Sequence, residues 1–147
     1  MKIAILGAGA WGSALAINLS HHQINLWTRD AQHAAEMVAT RINRRYLPQY
    51  VLPETIQITS ILAEAIEQVD FVLILVPISG LRETLKKITA TRIKLPLLWG
   101  CKGFESDTSL LPHQILQQEC PDLSSCSGVL SGPSFADEVA RNLPTAL

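Results

Sequence analysis

Apolar and polar positions alternate between two patterns along the chain. Short apolar runs, typical of strands buried on both faces, alternate with stretches in which apolar residues recur every three or four positions, as in amphipathic helices. The runs predict strands at residues 3–6, 24–28, 57–59, 71–76, 95–99 and 128–131. The periodic stretches predict helices at residues 10–21, 30–41, 61–68, 81–91, 110–119 and 134–141. This alternation predicts an α/β fold, with a mostly parallel sheet and helices on both of its faces.

Two segments do not fit the alternation. Residues 43–54, NRRYLPQYVLPE, lack a clear period and contain two prolines that would break a helix, which predicts a connecting loop over the sheet. The last residues, NLPTAL, stop where another strand would begin. We therefore expect residues 1–147 to be one domain of a longer protein, since the length suits a single domain.

The composition narrows the class of protein. Hydrophobic residues make up 48% of the chain and charged residues 17%, as in a well-buried globular domain rather than a disordered one. The net charge of -1 gives no reason to expect a nucleic-acid partner. The longest apolar run, residues 71–78, is too short to span a membrane. Three cysteines without a CxxC pair favour a reduced, cytoplasmic protein.

The stretch GAGAWG, residues 7–12, lies between the first predicted strand and the first predicted helix. This is the context in which the GxGxxG pattern forms a dinucleotide-binding loop. Gly7 would allow the tight turn, Gly9 would let the backbone approach a pyrophosphate, and Gly12 would let the helix pack closely. The helix N-terminus would offer free N–H groups to the phosphates. The alternative, a chance glycine-rich turn, does not explain the flanking strand and helix.

The end of the second predicted strand bears on the choice of dinucleotide. NAD-binding domains carry an acid there that binds the ribose 2′-hydroxyl, whereas an arginine accommodates a 2′-phosphate. Here Thr28 ends the strand and Arg29 follows, which favours NADP over NAD with both usable. Asp30 leaves an alternative open, since it could bind the ribose or cap the next helix.

Two later segments carry polar groups at the carboxyl ends of predicted strands. Lys102 lies in GCKGFE, with Gly100 two residues before it and Gly103 directly after it. Its ammonium group could bind a phosphate or polarise an oxygen, although a solvent-exposed lysine is the simpler alternative. SGPSFADEVA, residues 131–140, could offer backbone N–H groups to an anion, or Ser131 or Ser134 could simply cap a helix. We expect Cys101 to be buried rather than reactive. The four histidines show no metal-ligand spacing and are expected at the surface or at helix ends.

The chain carries a series of motifs in order, namely GAGAWGSALA, LWTRD, YLP with LPE, VP after the apolar strand, CKGFE and SGPSFADEVA. Together these motifs resemble those of bacterial-type NAD(P)-dependent glycerol-3-phosphate dehydrogenases. KGFE and GPSFADEVA are far more specific than the glycine loop. The resemblance implies a Rossmann-like NAD(P)-binding domain, followed in the family by an all-helical substrate domain that these 147 residues lack. It implies reduction of dihydroxyacetone phosphate to sn-glycerol 3-phosphate for glycerophospholipid synthesis.

The same resemblance implies roles for individual residues. Besides the three glycines, the expected cofactor contacts are Ala10, Trp11, Arg29, Tyr46, Lys102 and Ala136. Ala10 stands where the family often has serine, so a side-chain hydrogen bond is lost there. Lys102, Gly132 and Ser134 are expected to contact the small-molecule substrate. The family's catalytic lysine and substrate-phosphate ligands belong to the helical domain, so we expect no catalytic residue and no metal site in this chain.

Two alternative functions follow from the glycine loop alone. A two-domain dehydrogenase of the 6-phosphogluconate or ketopantoate type would share that loop but not CKGFE with GPSFADEVA. A non-enzymatic nucleotide-sensing module would match the chain in length, but such modules usually carry an acid where Thr28 stands. A homodimer of the full-length protein is compatible with all of these observations.

Overall fold

The computed structural model describes residues 1–132 and 134–145. A six-stranded sheet forms its centre, with the spatial order β5-β2-β1-β6-β7-β8 and parallel pairing throughout. A separate antiparallel pair is formed by β3 and β4. The strands are β1 (Lys2–Leu6), β2 (Gln23–Trp27), β3 (Ile42–Asn43), β4 (Leu47–Val51), β5 (Ile56–Thr59), β6 (Phe71–Ile74), β7 (Leu97–Trp99) and β8 (Ser127–Val129).

Helices connect successive strands of the sheet and cover both of its faces. They are α1 (Ala10–Asn18), α2 (Ala31–Thr40), α3 (Leu62–Ile66), α4 (Ile78–Ala90), α5 (Pro112–Glu119) and α6 (Ala136–Ala140), with a 3₁₀ helix at Pro121–Cys126. Within the described ranges, no helix is long and apolar enough to cross a membrane.

The alternating side chains of the strands form two separate cores. On one face, Ala4 and Leu6 of β1 pack with the apolar sides of α3, α4 and α5. On the other face, Ile3 and Ile5 pack with α1, with Met37 of α2 and with α6. A parallel sheet needs helices on both faces because its strands are apolar on both sides. The predicted fold class is therefore confirmed.

The prediction of a connecting loop at residues 43–54 was wrong in part. This segment contains β4 and the second residue of β3, which pair as a short antiparallel ladder beside the main sheet. Pro48 lies within β4, and a proline argues against a strand in the sequence because it lacks the N–H that a central strand needs. A two-stranded ladder leaves one side of β4 without strand pairing, where a proline can be accommodated.

Most other elements lie where the pattern predicted them, but with shifted ends. Helix α1 stops at Asn18, three residues before its predicted end. Helix α4 begins at Ile78, three residues before its predicted start. Residues 142–145 form a turn and irregular backbone rather than the start of a strand, and the last two residues of NLPTAL lie outside the described residues. Helix ends fray, and their bounds are less sharply defined than the helices themselves.

A chain of buried polar side chains ties the β3–β4 pair to the glycine loop. Asn43 donates to the carbonyl of Ala8 at 2.9 Å and to Ser13 Oγ at 2.7 Å. Its Oδ1 lies 2.9 Å from His33 Nε2. The imidazole Nδ1 in turn lies 3.5 Å from Thr28 Oγ1. His33 lies in the first turn of α2, which is one of the two positions expected for the histidines, and this network buries it.

Candidate functional site

Two adjoining clefts open at the carboxyl ends of the central strands. The larger has a volume of about 720 Å³ and runs from the glycine loop towards the end of β2. The smaller, about 340 Å³, lies between the glycine loop and residues 130–132 and 134–136. Five residues line both clefts, and these are Ala10, Trp11, Leu75, Gly100 and Lys102. All eleven predicted site residues line one cleft or the other, although Pro133 of the SGPSFADEVA motif lies outside the described residues.

The three glycines of the loop are required for three different reasons. Gly7 has φ +124°, and a Cβ there would lie 2.7 Å from the backbone of Leu75. A Cβ on Gly12 would lie 1.9 Å from the Gly7 carbonyl oxygen. A Cβ on Gly9 would meet nothing within 4 Å. Gly7 and Gly12 are thus demanded by the fold, whereas the space above Gly9 is left open to a ligand.

The N-terminus of α1 faces this open space. Gly9 is its N-cap residue and no side chain caps that end. The first turn of the helix also contains no acidic residue. The N–H groups of the first turn and the positive end of the helix dipole therefore form a suitable cradle for a pyrophosphate.

Trp11 forms the wall between the two clefts. Its indole Nε1–H donates to Ser134 Oγ at 3.1 Å, which connects Ser134 to the glycine loop. The ring packs so closely on Gly100 that a Cβ there would lie 2.9 Å from Trp11 Cζ3. Gly100 therefore lets the indole lie flush against the end of β7.

At the end of β2, Asp30 serves as the N-cap of α2. Its Oδ1 accepts the His33 N–H at 3.0 Å, and its Oδ2 lies 2.5 Å from Arg45 Nη1. The His33 N–H and, after it, the Arg45 guanidinium hold the pKa of Asp30 below its ordinary value. The structure therefore favours the capping alternative for Asp30. Arg29 is exposed beside it, and no ion pair to Arg29 is found within the described ranges.

The loop that carries Lys102 is anchored to α4 by a partly buried ion cluster. Arg82 donates from Nη2 and Nε to the carboxylate of Glu105, at 2.7 and 2.9 Å. Arg82 also pairs with Glu119 of α5. Arg82 and, secondarily, Thr108 lower the pKa of Glu105 to about 2. Lys102, three residues before Glu105, is exposed and lines both clefts.

Several predicted details of the site were wrong or incomplete. Neither Ser131 nor Ser134 caps the last helix, because α6 begins at Ala136 with Phe135 as its N-cap residue. Sequence reasoning did not find Arg45 as a residue of the larger cleft, since no local pattern distinguishes it from its neighbour Arg44.

Cys101 is buried as expected, and burial raises the pKa of its thiol to about 11, so it is not a reactive thiolate at neutral pH. Among the described residues, no cluster of histidine, cysteine and acidic side chains could hold a metal ion.

The strand order and the glycine loop between β1 and α1 define a dinucleotide-binding domain of the Rossmann type. The β1–α1 loop and the carboxyl ends of β2, β6 and β7 surround the cleft where such domains take their ligand. The chain belongs to the NAD-dependent glycerol-3-phosphate dehydrogenase N-terminus family, whose model matches residues 2–147. This membership confirms the resemblance drawn from the motifs.

Individual relatives agree with the family assignment. The chain is 53% identical to a glycerol-3-phosphate dehydrogenase [NAD(P)+] of Nitrosospira multiformis and 52% identical to that of Nitrosomonas europaea. Both matches cover all of this chain and 45% of the relative, so the chain spans about half the length of these curated relatives. A crystal structure of glycerol-3-phosphate dehydrogenase from Coxiella burnetii is 39% identical, with a TM-score of 0.87 over 98% of this chain and 44% of that one.

Proposed function

We propose that the chain binds NAD(P)H and forms the cofactor-binding part of a glycerol-3-phosphate dehydrogenase. The whole enzyme would be an oxidoreductase that reduces dihydroxyacetone phosphate to sn-glycerol 3-phosphate for glycerophospholipid synthesis. The observation that carries this proposal is the junction of the two clefts. There Trp11 of the glycine loop donates to Ser134 of the SGPSFADEVA segment, and Lys102 lines both sides. Family membership supports the same conclusion.

The larger cleft fits an extended dinucleotide. Its centre, above Gly9, has room for a pyrophosphate beside the first-turn N–H groups of α1. One end is lined by Thr28, Arg29 and Tyr46, which suits the adenosine half. The other end is lined by Leu75 and Lys102 and meets the smaller cleft, which suits the nicotinamide half.

The residues of the smaller cleft suggest how the substrate is held. The bound nicotinamide would supply a hydride to the ketone carbon. The Lys102 ammonium would bind a substrate oxygen beside the cofactor, since a compact, mobile cation suits a phosphate or a polarised carbonyl. Gly132 and Ser134 would line the substrate, and Ala136 would lie beside the cofactor. The apolar faces of Trp11 and Leu75 would exclude water from the reacting atoms.

The end of β2 favours NADP over NAD. Asp30 is already engaged by the His33 N–H and by Arg45, so it is less available to bind a ribose hydroxyl. Arg29 is exposed at the rim of the cleft and can donate two parallel hydrogen bonds to a phosphate. We therefore expect both dinucleotides to bind, with NADPH preferred.

The remaining features of the whole protein belong to the same proposal. Residues 1–147 would be the dinucleotide-binding domain, and the catalytic lysine would lie in an all-helical substrate domain. The whole protein would act in the cytoplasm on a small phosphorylated substrate, without a nucleic-acid partner. A homodimer is expected for the full-length protein, and sedimentation equilibrium tests it. The three cysteines without a disulfide support the cytoplasmic location. The net charge of -1 supports the absence of a nucleic-acid partner.

Titration of the chain with NADPH by calorimetry, beside a Gly9→Val variant, tests the proposal. Gly9 has extended backbone that valine can adopt, and its added side chain would enter open space. We expect the variant to keep its circular dichroism spectrum and melting temperature but to lose NADPH binding. Ala35→Val, which adds bulk on an exposed face of α2, should bind as the unmodified chain does. Normal binding by Gly9→Val, or no binding by the unmodified chain, would refute the proposal.

A further inference from the structure

Arg45 occupies the rim of the larger cleft, in the turn between β3 and β4. Its Nη1 lies 2.5 Å from Asp30 Oδ2, and its Nε lies 3.8 Å from Glu36 Oε2. The neighbouring Tyr46 packs edge-on against His33, with ring centroids 5.6 Å apart. The buried hydrogen bonds of Asn43 hold the same turn against the glycine loop. The guanidinium is therefore placed beside Asp30 by the fold rather than by chance.

Asp30 stands three residues beyond the end of β2, close to where an acid selects NAD. A free carboxylate there would accept hydrogen bonds from the ribose hydroxyls and repel a 2′-phosphate. In this chain one carboxylate oxygen is taken by the helix cap and the other by Arg45. The charge that would oppose a 2′-phosphate is thus neutralised by an arginine from a different part of the sequence.

Among the charged residues that line this end of the cleft, three are positive and two are negative, and Glu36, which lies beside Arg45, is not one of them. Glu83 and Lys87 of α4 line it too, but they pair with each other at 2.7 Å. Asp30 is paired with Arg45, and Arg29 has no ion-pair partner within residues 1–132 and 134–145. A guanidinium has five N–H donors, so Arg45 can keep Asp30 and still donate to a second anion.

We propose that Arg45 is a specificity-determining residue for a 2′-phosphorylated dinucleotide, acting by neutralising Asp30 and by donating to the phosphate alongside Arg29. This inference rests on the proposed function, since it assumes that a dinucleotide binds in the larger cleft. It adds a second arginine, contributed by the β3–β4 turn, to the one that follows β2. It also makes Asp30 a potential ribose ligand whose second carboxylate oxygen becomes free only when Arg45 is removed.

Binding measurements on the chain test this role without any catalytic readout. Arg45→Ala is expected to weaken binding of NADPH about tenfold relative to NADH, the lower end for one charged hydrogen bond. The preference for the fragment 2′,5′-ADP over the fragment 5′-AMP, which lacks the 2′-phosphate, should fall as well. Arg44→Ala removes the same charge from an exposed neighbour that does not line the cleft, and it should leave both ratios unchanged.

A double variant separates the two parts of the proposal. Asp30→Asn retains a side-chain oxygen to cap α2 but removes the charge. If Arg45 acts in part by masking Asp30, Arg45→Ala combined with Asp30→Asn should recover some of the lost preference for NADPH. Arg45→Gln, which keeps most of the side-chain stem, checks that a lost preference does not come from a disturbed turn, and circular dichroism checks the fold of each variant.

The outcomes distinguish this inference from the proposed function. If the unmodified chain binds neither dinucleotide, the proposed function itself fails and the inference falls with it. If the chain binds NADPH but Arg45→Ala and Arg45→Gln leave the NADPH to NADH ratio unchanged, or weaken both dinucleotides equally, only the inference is overturned. A fall in the ratio for Arg45→Ala and Arg45→Gln, absent in Arg44→Ala, supports it.

Discussion

At the scale of single residues, the glycine loop shows how one motif combines separate physical demands. The chain conformation requires Gly7, the packing of the loop on α1 requires Gly12, and the fold itself leaves Gly9 free to carry a side chain. A sequence motif presents the three positions as equivalent. The structure separates them, because only neighbouring atoms show whether a Cβ would strike the protein or a ligand.

Arg29 provides a prediction at this scale. Arg29→Ala is expected to weaken NADPH binding more than NADH binding, because only NADPH carries the 2′-phosphate that the guanidinium would bind. A hydrogen bond between charged groups corresponds to about a tenfold to hundredfold change in dissociation constant. Calorimetric titration of both dinucleotides measures the difference. Equal losses for the two would contradict the assignment, and Arg44→Ala is the matched control.

At the scale of elements, the β3–β4 pair is the part of the fold that the apolar pattern did not predict. The pair is short and is stabilised by contacts outside itself, above all by Asn43, which bonds to Ala8 and Ser13 about thirty residues earlier. An isolated two-stranded ladder has little stability of its own. Its presence therefore depended on side chains that no local window of sequence contains.

The loop from β7 to α5 provides a prediction about pH. Arg82 holds the pKa of Glu105 at about 2, below its ordinary value of 4.5, so the ion pair stabilises the folded chain at neutral pH. A lowered carboxyl pKa gives stability that is present above the unfolded value and lost as the pH falls towards the folded one. We expect Glu105→Gln to be less stable than the unmodified chain at pH 7 and to lose less stability between about pH 4.5 and pH 2.

Urea denaturation at several pH values measures this dependence. Asp107→Asn removes an exposed carboxylate from the same loop and should follow the pH profile of the unmodified chain. Glu105→Gln should also weaken NADPH binding modestly, because Lys102 lies on the loop that Glu105 anchors. A Glu105→Gln profile that coincides with that of the unmodified chain at every pH would show that the pair adds nothing to stability.

At the scale of the whole molecule, the proposed function makes the two clefts one side of a reaction site. Lys102, Gly132 and Ser134 line the smaller cleft, which adjoins the larger one. The chain covers 45% of the length of these curated relatives. Hydride transfer requires the ketone to be held against the nicotinamide with a proton donor in reach.

The 147-residue chain by itself is therefore expected to have no measurable dihydroxyacetone phosphate reductase activity, even at saturating NADPH. In the proposed function, the catalytic lysine and the substrate-phosphate ligands would belong to a helical domain. The assay follows NADPH absorbance together with consumption of dihydroxyacetone phosphate, with the Lys102→Ala chain as a blank. NADPH oxidation that matches substrate consumption and exceeds the rate of the Lys102→Ala chain would contradict this expectation.

The sequence by itself determined the parallel α/β fold, the six strands of the sheet and the glycine loop. These features depend on apolar runs, helical periodicity and short motifs, all of which lie within a few residues of one another. It also placed Lys102 and residues 131–136 at the ends of strands, because carboxyl ends of parallel strands share one edge of a sheet.

Only the tertiary structure decided how distant residues meet. Trp11 and Ser134 are 123 positions apart, and their hydrogen bond joins the two clefts. Asp30 and Arg45 are 15 positions apart, and their pairing turns an apparent ribose ligand into a neutralised helix cap. Burial of a polar side chain or pairing of a charge depends on which elements pack together, so neither can be read from local pattern.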